Sequence, residues 1–136
     1  MKIMDIMVVD DSKMVRHMVV STLRELGYND ISGAANVAEA KNLLKGKKYG
    51  LIISDWHMPG ESGLDFLKYV KSCPEYAGVP FILQTIENER KNIMEAVKAG
   101  VQGYLVKPVQ KNALARKMLE LSTIYKFQPP ADCPLG

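Results

Sequence analysis

Cysteine, histidine and long apolar runs are scarce in this 136-residue sequence, and each scarcity excludes something. The two cysteines, Cys73 and Cys133, each precede a proline and show neither CxxC nor metal-ligand spacing, so they read as ordinary thiols of a reducing compartment. The two histidines, His17 and His57, form no cluster with them, which removes the soft-metal sites. The apolar opening is short and interrupted by Asp5, so it reads as neither a signal peptide nor a membrane span. A net charge of +3 is too mild to argue for nucleic acid. What is present, 47% hydrophobic and 24% charged residues, suits one soluble globular domain, expected to be cytoplasmic and monomeric.

Taken in order, the chain alternates two periods. Residues 3 to 9 are almost continuously apolar. Residues 13 to 26 then carry Met14, Val15, Met18, Val19, Thr22, Leu23 and Leu26 on one helical face, with Ser12 as N-cap and Gly27 as stop. The same alternation predicts strands over 31–35, 50–54, 79–85 and 103–106. Helices are predicted over 37–44, 64–72, 88–99 (Ile93, Met94 and Val97 inward) and 110–124 (Leu114, Met118 and Leu121 inward). The methionines fall mainly at inward offsets and read as core fillers. Residues 1–124 thus form the domain, and 125–136, with three prolines and no periodicity, an extended or disordered tail. Five strand–helix units with solidly apolar strands call for a doubly wound α/β fold, a parallel sheet with helices on both faces.

In such sheets the ligand site lies beyond the carboxyl ends of the strands. There the first strand delivers Asp10 and Asp11, the third Asp55, the fourth Thr85 and the fifth Lys107. For any single position, a charged residue merely starting a loop is the ordinary explanation, but five such groups on one edge strain it. Three carboxylates in one cleft demand a counter-charge, and a hard oxygen-seeking cation, Mg²⁺, fits best. With the cleft neutralised, one carboxylate can attack phosphorus and form an acyl phosphate.

The runs Val-Val-Asp-Asp-Ser, Ser-Asp-Trp-His-Met-Pro-Gly-Glu-Ser-Gly, Ile-Leu-Gln-Thr and Ala-Gly-Val-Gln-Gly-Tyr-Leu-Val-Lys-Pro, in this order and spacing, resemble the response regulator receiver domain family, and within it the stand-alone CheY-like chemotaxis receivers. The resemblance covers residues 1 to about 124. It implies the flavodoxin-like (βα)5 fold with strand order 2-1-3-4-5, an order carried over from the family and not read from spacing. It implies that Asp55 is the phosphoacceptor, served by the phosphohistidine of a CheA-type histidine kinase. Asp11, Asp55 and the backbone carbonyl of His57 would hold Mg²⁺, with Asp10 acting largely through water. Lys107, preceding a cis-proline bond, would contact the phosphoryl oxygens, Thr85 would swing toward them, and Tyr104 would turn into the space Thr85 leaves. It implies a phosphorylation-activated switch, not an enzyme beyond its own phosphorylation and dephosphorylation. The outer face of helix 4, strand 5 and helix 5 would bind a protein, the flagellar motor switch in the chemotaxis reading. Arg90, Tyr104 and Lys117 could frame a groove there, in a segment (87–124) with seven basic and four acidic side chains.

Departures from the family pattern matter too. Ile86 stands where a small residue is usual and is expected to crowd the phosphoryl site; with His57 and Glu87 it would tune phosphoryl lifetime. Glu61 replaces a common apolar residue in the loop after the acceptor. Rival readings are a phosphorelay carrier or another stand-alone receiver, and a metal-dependent phosphohydrolase, whose second aspartate is replaced by His57. A flavin carrier of the same fold lacks its hydroxyl- and glycine-rich cradle here.

Overall fold

The computed structural model describes residues 4–86 and 90–125, and at 90 and 91 the backbone only. Five strands alternate with five helices: β1 (Ile6–Val9), α1 (Lys13–Glu25), β2 (Ile31–Ala34), α2 (Val37–Gly46), β3 (Leu51–Asp55), α3 (Gly63–Ser72), β4 (Phe81–Thr85), α4 (Arg90–Lys98), β5 (Gly103–Val106) and α5 (Lys111–Tyr125). All strand pairings are parallel, in the order β2-β1-β3-β4-β5. The tail expected beyond 125 lies outside the described residues.

Strand alternation splits the core in two. Ile6, Val8, Ile53, Ile82 and Leu105 pack against Val19 and Leu23 of α1 and Leu114 and Met118 of α5. Met7, Val9, Ile52, Phe81 and Leu83 pack against α2, α3 and Ala96 of α4. Caps fix where the helices begin at the site edge. Ser12 accepts from Val15 N, Asn36 from Glu39 N, and Ser62 with Asp65 forms a capping box that holds the Asp65 carboxyl below its usual range, chiefly through the Ser62 backbone hydrogen bond. At the opposite pole the Lys71 ammonium donates to Ala77 O, Val79 O and Gln102 Oε1, fastening α3 to the starts of β4 and β5.

Two helix faces differ from the sequence expectation. Met14 is 72% and Met18 56% exposed, while α1 buries Val19 and Leu23. Successive helical residues turn by about 100°, so Met18 lies a quarter-turn from Val19. The seven-residue apolar stripe is wider than the sheet can cover. On α4, Ala96 faces the core, whereas Met94 and Val97 are exposed. Three of the methionines read as core fillers therefore lie on the surface.

Candidate functional site

The carboxyl edge of the sheet collects the expected groups because four parallel strands, β1, β3, β4 and β5, end there side by side. Asp10 follows β1 and is fully buried; its Oδ1 accepts from Ser12 N at 2.9 Å, and its backbone carbonyl accepts from Arg16 Nη1 at 2.6 Å. Asp55 closes β3 and is buried; Asp11 is exposed. Ligand oxygens of Asp10, Asp11 and Asp55 lie within 4.8 Å of one another, a spacing that suits one shared cation. From β5, Lys107 Nζ reaches Asp55 Oδ1 at 2.9 Å and Asp10 Oδ2 at 3.3 Å. The Lys107–Pro108 peptide is cis.

The electrostatics follow from this packing. Burial raises the Asp55 pKa above the usual carboxylate range, and the charges of Asp10 and Asp11 add to it against the hydrogen bond and charge of Lys107. For Lys107, burial works to lower the pKa, but Asp55 and Asp10 together carry it above the ordinary lysine value. A mutually repelling carboxylate set braced by one ammonium is a site prepared for a cation and for an anionic group bound beside it.

Thr85, buried at the end of β4, directs its hydroxyl to Ile86 O at 3.3 Å. Ile86, directly after Thr85, and His57, two residues past Asp55, are exposed, and Trp56, directly after Asp55, is buried in the core. Tyr104 is 45% exposed on β5. Lys117 of α5 pairs with Glu120 at 3.3 Å. Glu61 is held by Lys41 at 3.1 Å, with Lys41 also over the Tyr69 ring, so the polar replacement in that loop has its own partner. Glu87 and the Arg90 side chain lie outside the described residues.

Three features escaped the sequence reading. Arg16 anchors the Asp10 backbone from one turn into α1. Gln84, fully buried in β4, has no hydrogen-bond partner for Oε1 or Nε2 among the described residues. An apolar groove of about 270 Å³, lined by Val15, Met18, Val19, Thr22, Lys107, Pro108 and Val109, opens beside the Lys107 arm. The exposed half of the methionine stripe was its only sequence signal.

Comparison with known proteins agrees with the fold. Residues 6–119 match the family model of the response regulator receiver domain. The chain is 38% identical over 117 residues to chemotaxis protein CheY-3 of Vibrio cholerae serotype O1, covering 86% of this chain and 90% of that protein. It is 37% identical over 116 residues to the chemotaxis protein CheY homolog of Campylobacter jejuni, covering 85% and 89%. Among solved structures, the chemotaxis response regulator CheY4 of Vibrio cholerae superposes with a TM-score of 0.81 at 31% identity, covering 88% of this chain and 99% of that one. A receiver domain protein from Clostridium thermocellum gives 0.82 at 25%, covering 90% and 97%.

Proposed function

The chain belongs to the response regulator receiver domain family, and from that premise we propose that it is a phosphorelay response regulator that takes a phosphoryl group on Asp55 from a CheA-type histidine kinase. The observation that carries this reading is the convergence of Asp10, Asp11 and Asp55 within 4.8 Å, with Lys107 at 2.9 Å from the Asp55 carboxylate. Asp55 Oδ attacks phosphorus as the bond to the donor histidine nitrogen breaks, and the imidazole, protonated on its other ring nitrogen, takes the electron pair and leaves neutral. Asp11, Asp55 and the His57 carbonyl would hold Mg²⁺, with Asp10 behind them. When bound, the ion would neutralise the carboxylates and the transferring oxygens. Lys107 follows the charge onto the phosphoryl group, and the Thr85 hydroxyl donates to it.

The acyl phosphate carries about −1.5 to −2 charge, in place of the single carboxylate charge, where Lys107 and Thr85 can reach it. Movement of Thr85 gives Tyr104 room to turn inward, remodelling the α4-β5-α5 face. That face carries exposed Met94, Val97, Tyr104 and Val106, apolar surface suited to a protein partner. In the chemotaxis reading, supported by the CheY relatives, the partner is the flagellar motor switch. The protein acts in the cytoplasm as a switch and not as a turnover enzyme. Among the described residues no helix is long and apolar enough to cross a membrane.

The test is intact mass after incubation with acyl phosphate and Mg²⁺. One phosphoryl group is expected on wild type and none on Asp55→Asn; full labelling of Asp55→Asn refutes the acceptor assignment. Capture of a motor-switch peptide by the phosphorylated form alone would support the chemotaxis output, and equal capture of both forms would remove it.

A further inference from the structure

One buried polar side chain has no part in that scheme. Gln84 is fully buried with both amide atoms unpartnered among the described residues. The strand positions packed on its face of the sheet, Ile6, Val8, Leu51, Ile53, Ile82 and Leu105, are all apolar. A valine or leucine would extend that core, whereas an unpaired amide carries its desolvation cost. A buried amide left unpaired calls for an explanation, and a partner that arrives in another state of the site supplies one.

Its position identifies the partner. Gln84 stands in register with Asp55 on β3 and Leu105 on β5, and by alternation it faces the α1/α5 side with Ile82. Lys107, two residues past Leu105, starts from the same side. To reach Asp55 on β3 and Asp10 beyond β1, its side chain must cross the end of β4. The backbone is tied on both flanks: Trp56 N donates to Gln84 O at 3.0 Å, and Lys107 N to Thr85 O at 2.8 Å. The Lys107 ammonium has three protons and holds two carboxylates.

We propose that Gln84 is a positioning residue for Lys107: its Oε1 accepts a hydrogen bond from the ammonium once Asp10 and Asp55 are given over to cation and phosphoryl group. A neutral amide is suited to this. It offers the lysine an acceptor without adding a fourth charge to the cleft, and it binds too weakly to hold the lysine back from phosphoryl oxygens. The inference rests on Asp55 being the phosphoacceptor.

The experiment uses Gln84→Met, which keeps the length, and Gln84→Val, which suits a strand. Three quantities are measured: thermal unfolding, Mg²⁺ affinity by calorimetry, and the rate of phosphoryl acceptance from acyl phosphate by intact mass. Both variants are expected to unfold at higher temperature than wild type. They should bind Mg²⁺ several-fold more weakly, because Lys107 stays on the carboxylates, and accept phosphoryl groups about tenfold more slowly, equivalent to about 1.4 kcal/mol of barrier. In a Lys107→Ala background the same replacements should change neither rate nor affinity. A folded variant with the wild-type rate overturns the proposal, as does slowing that persists without Lys107, or failure of both variants to fold. Absence of labelling on wild-type Asp55 would instead defeat the functional reading beneath it.

Discussion

At Asp55 the forces run against ionisation, with burial first and the neighbouring carboxylates behind it, opposed by Lys107. Because its folded pKa lies above its unfolded value, the folded state holds the proton more tightly. Stability is therefore lost as pH rises from the ordinary carboxylate range, about 3.9, through the raised value. Asp55→Asn removes that loss while Lys107 keeps Asp10. In chelator at pH 7 the variant is expected to melt above wild type, with the gap closing below about pH 4; an equal or lower melting temperature at pH 7 contradicts this. Directly after Thr85, Ile86 is 46% exposed, and a branched side chain at that position is expected to hinder an attacking water. Ile86→Ala should shorten the phosphoryl lifetime, by about threefold to tenfold if the barrier change is near 1 kcal/mol, and an unchanged dephosphorylation rate would dismiss the steric role. At this scale Asp10, Asp11, Asp55, Thr85 and Lys107 were legible because each ends an apolar run, where a polar residue stands out. Gln84 was not, since one amide inside a strand announces neither its burial nor its lack of partners among the described residues.

The elements position these residues through close backbone approach as much as through side chains. The loop after β3 folds back so that Gly63 N, opening α3, donates to Trp56 O at 2.7 Å. A Cβ on Gly63 would overlap the Asp55 backbone carbonyl. Gly63→Ala must therefore shift either the start of α3, where Gly63 and Leu64 are buried, or the end of β3, which is buried throughout. We expect a loss of about 3 kcal/mol in chemical denaturation, together with weaker Mg²⁺ binding, since the Asp55 carboxylate moves with its backbone. Wild-type stability would show that the loop can relax. All ten elements were legible from period and caps, with boundaries shifted by a few residues: β4 begins at Phe81 because Val79 belongs to the preceding turn, where its N–H donates to Tyr76 O. Which face each helix turns inward was less legible. On α1 and α4 the apolar stripe exceeds the contact the sheet offers, and periodicity cannot say which edge of a wide stripe is left outside.

For the molecule as a whole, that surplus apolar surface forms two separate faces, and their separation makes a division of labour testable. Met18 of α1 lines the groove shared with Pro108, Val109 and Lys107, the lysine that reaches Asp55, and Met14 stands exposed one turn earlier on α1. Met94 and Val97 of α4, with Tyr104 and Val106 of β5, form the other face, and α4 packs on the opposite side of the sheet from α1. A kinase domain that delivered its phosphoryl group to Asp55, as proposed, would have to approach this edge, where the exposed α1 methionines offer adaptable apolar surface. A small acyl phosphate needs no such contact. Met14→Glu with Met18→Glu should therefore slow transfer from the kinase about tenfold or more, as the loss of an apolar docking contact would, and leave labelling by acyl phosphate unchanged. Val97→Glu with Tyr104→Ala should leave labelling by acyl phosphate intact and abolish capture of the output partner by the phosphorylated form. All four positions are exposed, so stability should stay within about 0.5 kcal/mol of wild type for each change. If the α1 pair slows both donors equally, the effect lies in the site and not in docking. If the α4-β5 pair leaves partner capture untouched, the output surface lies elsewhere.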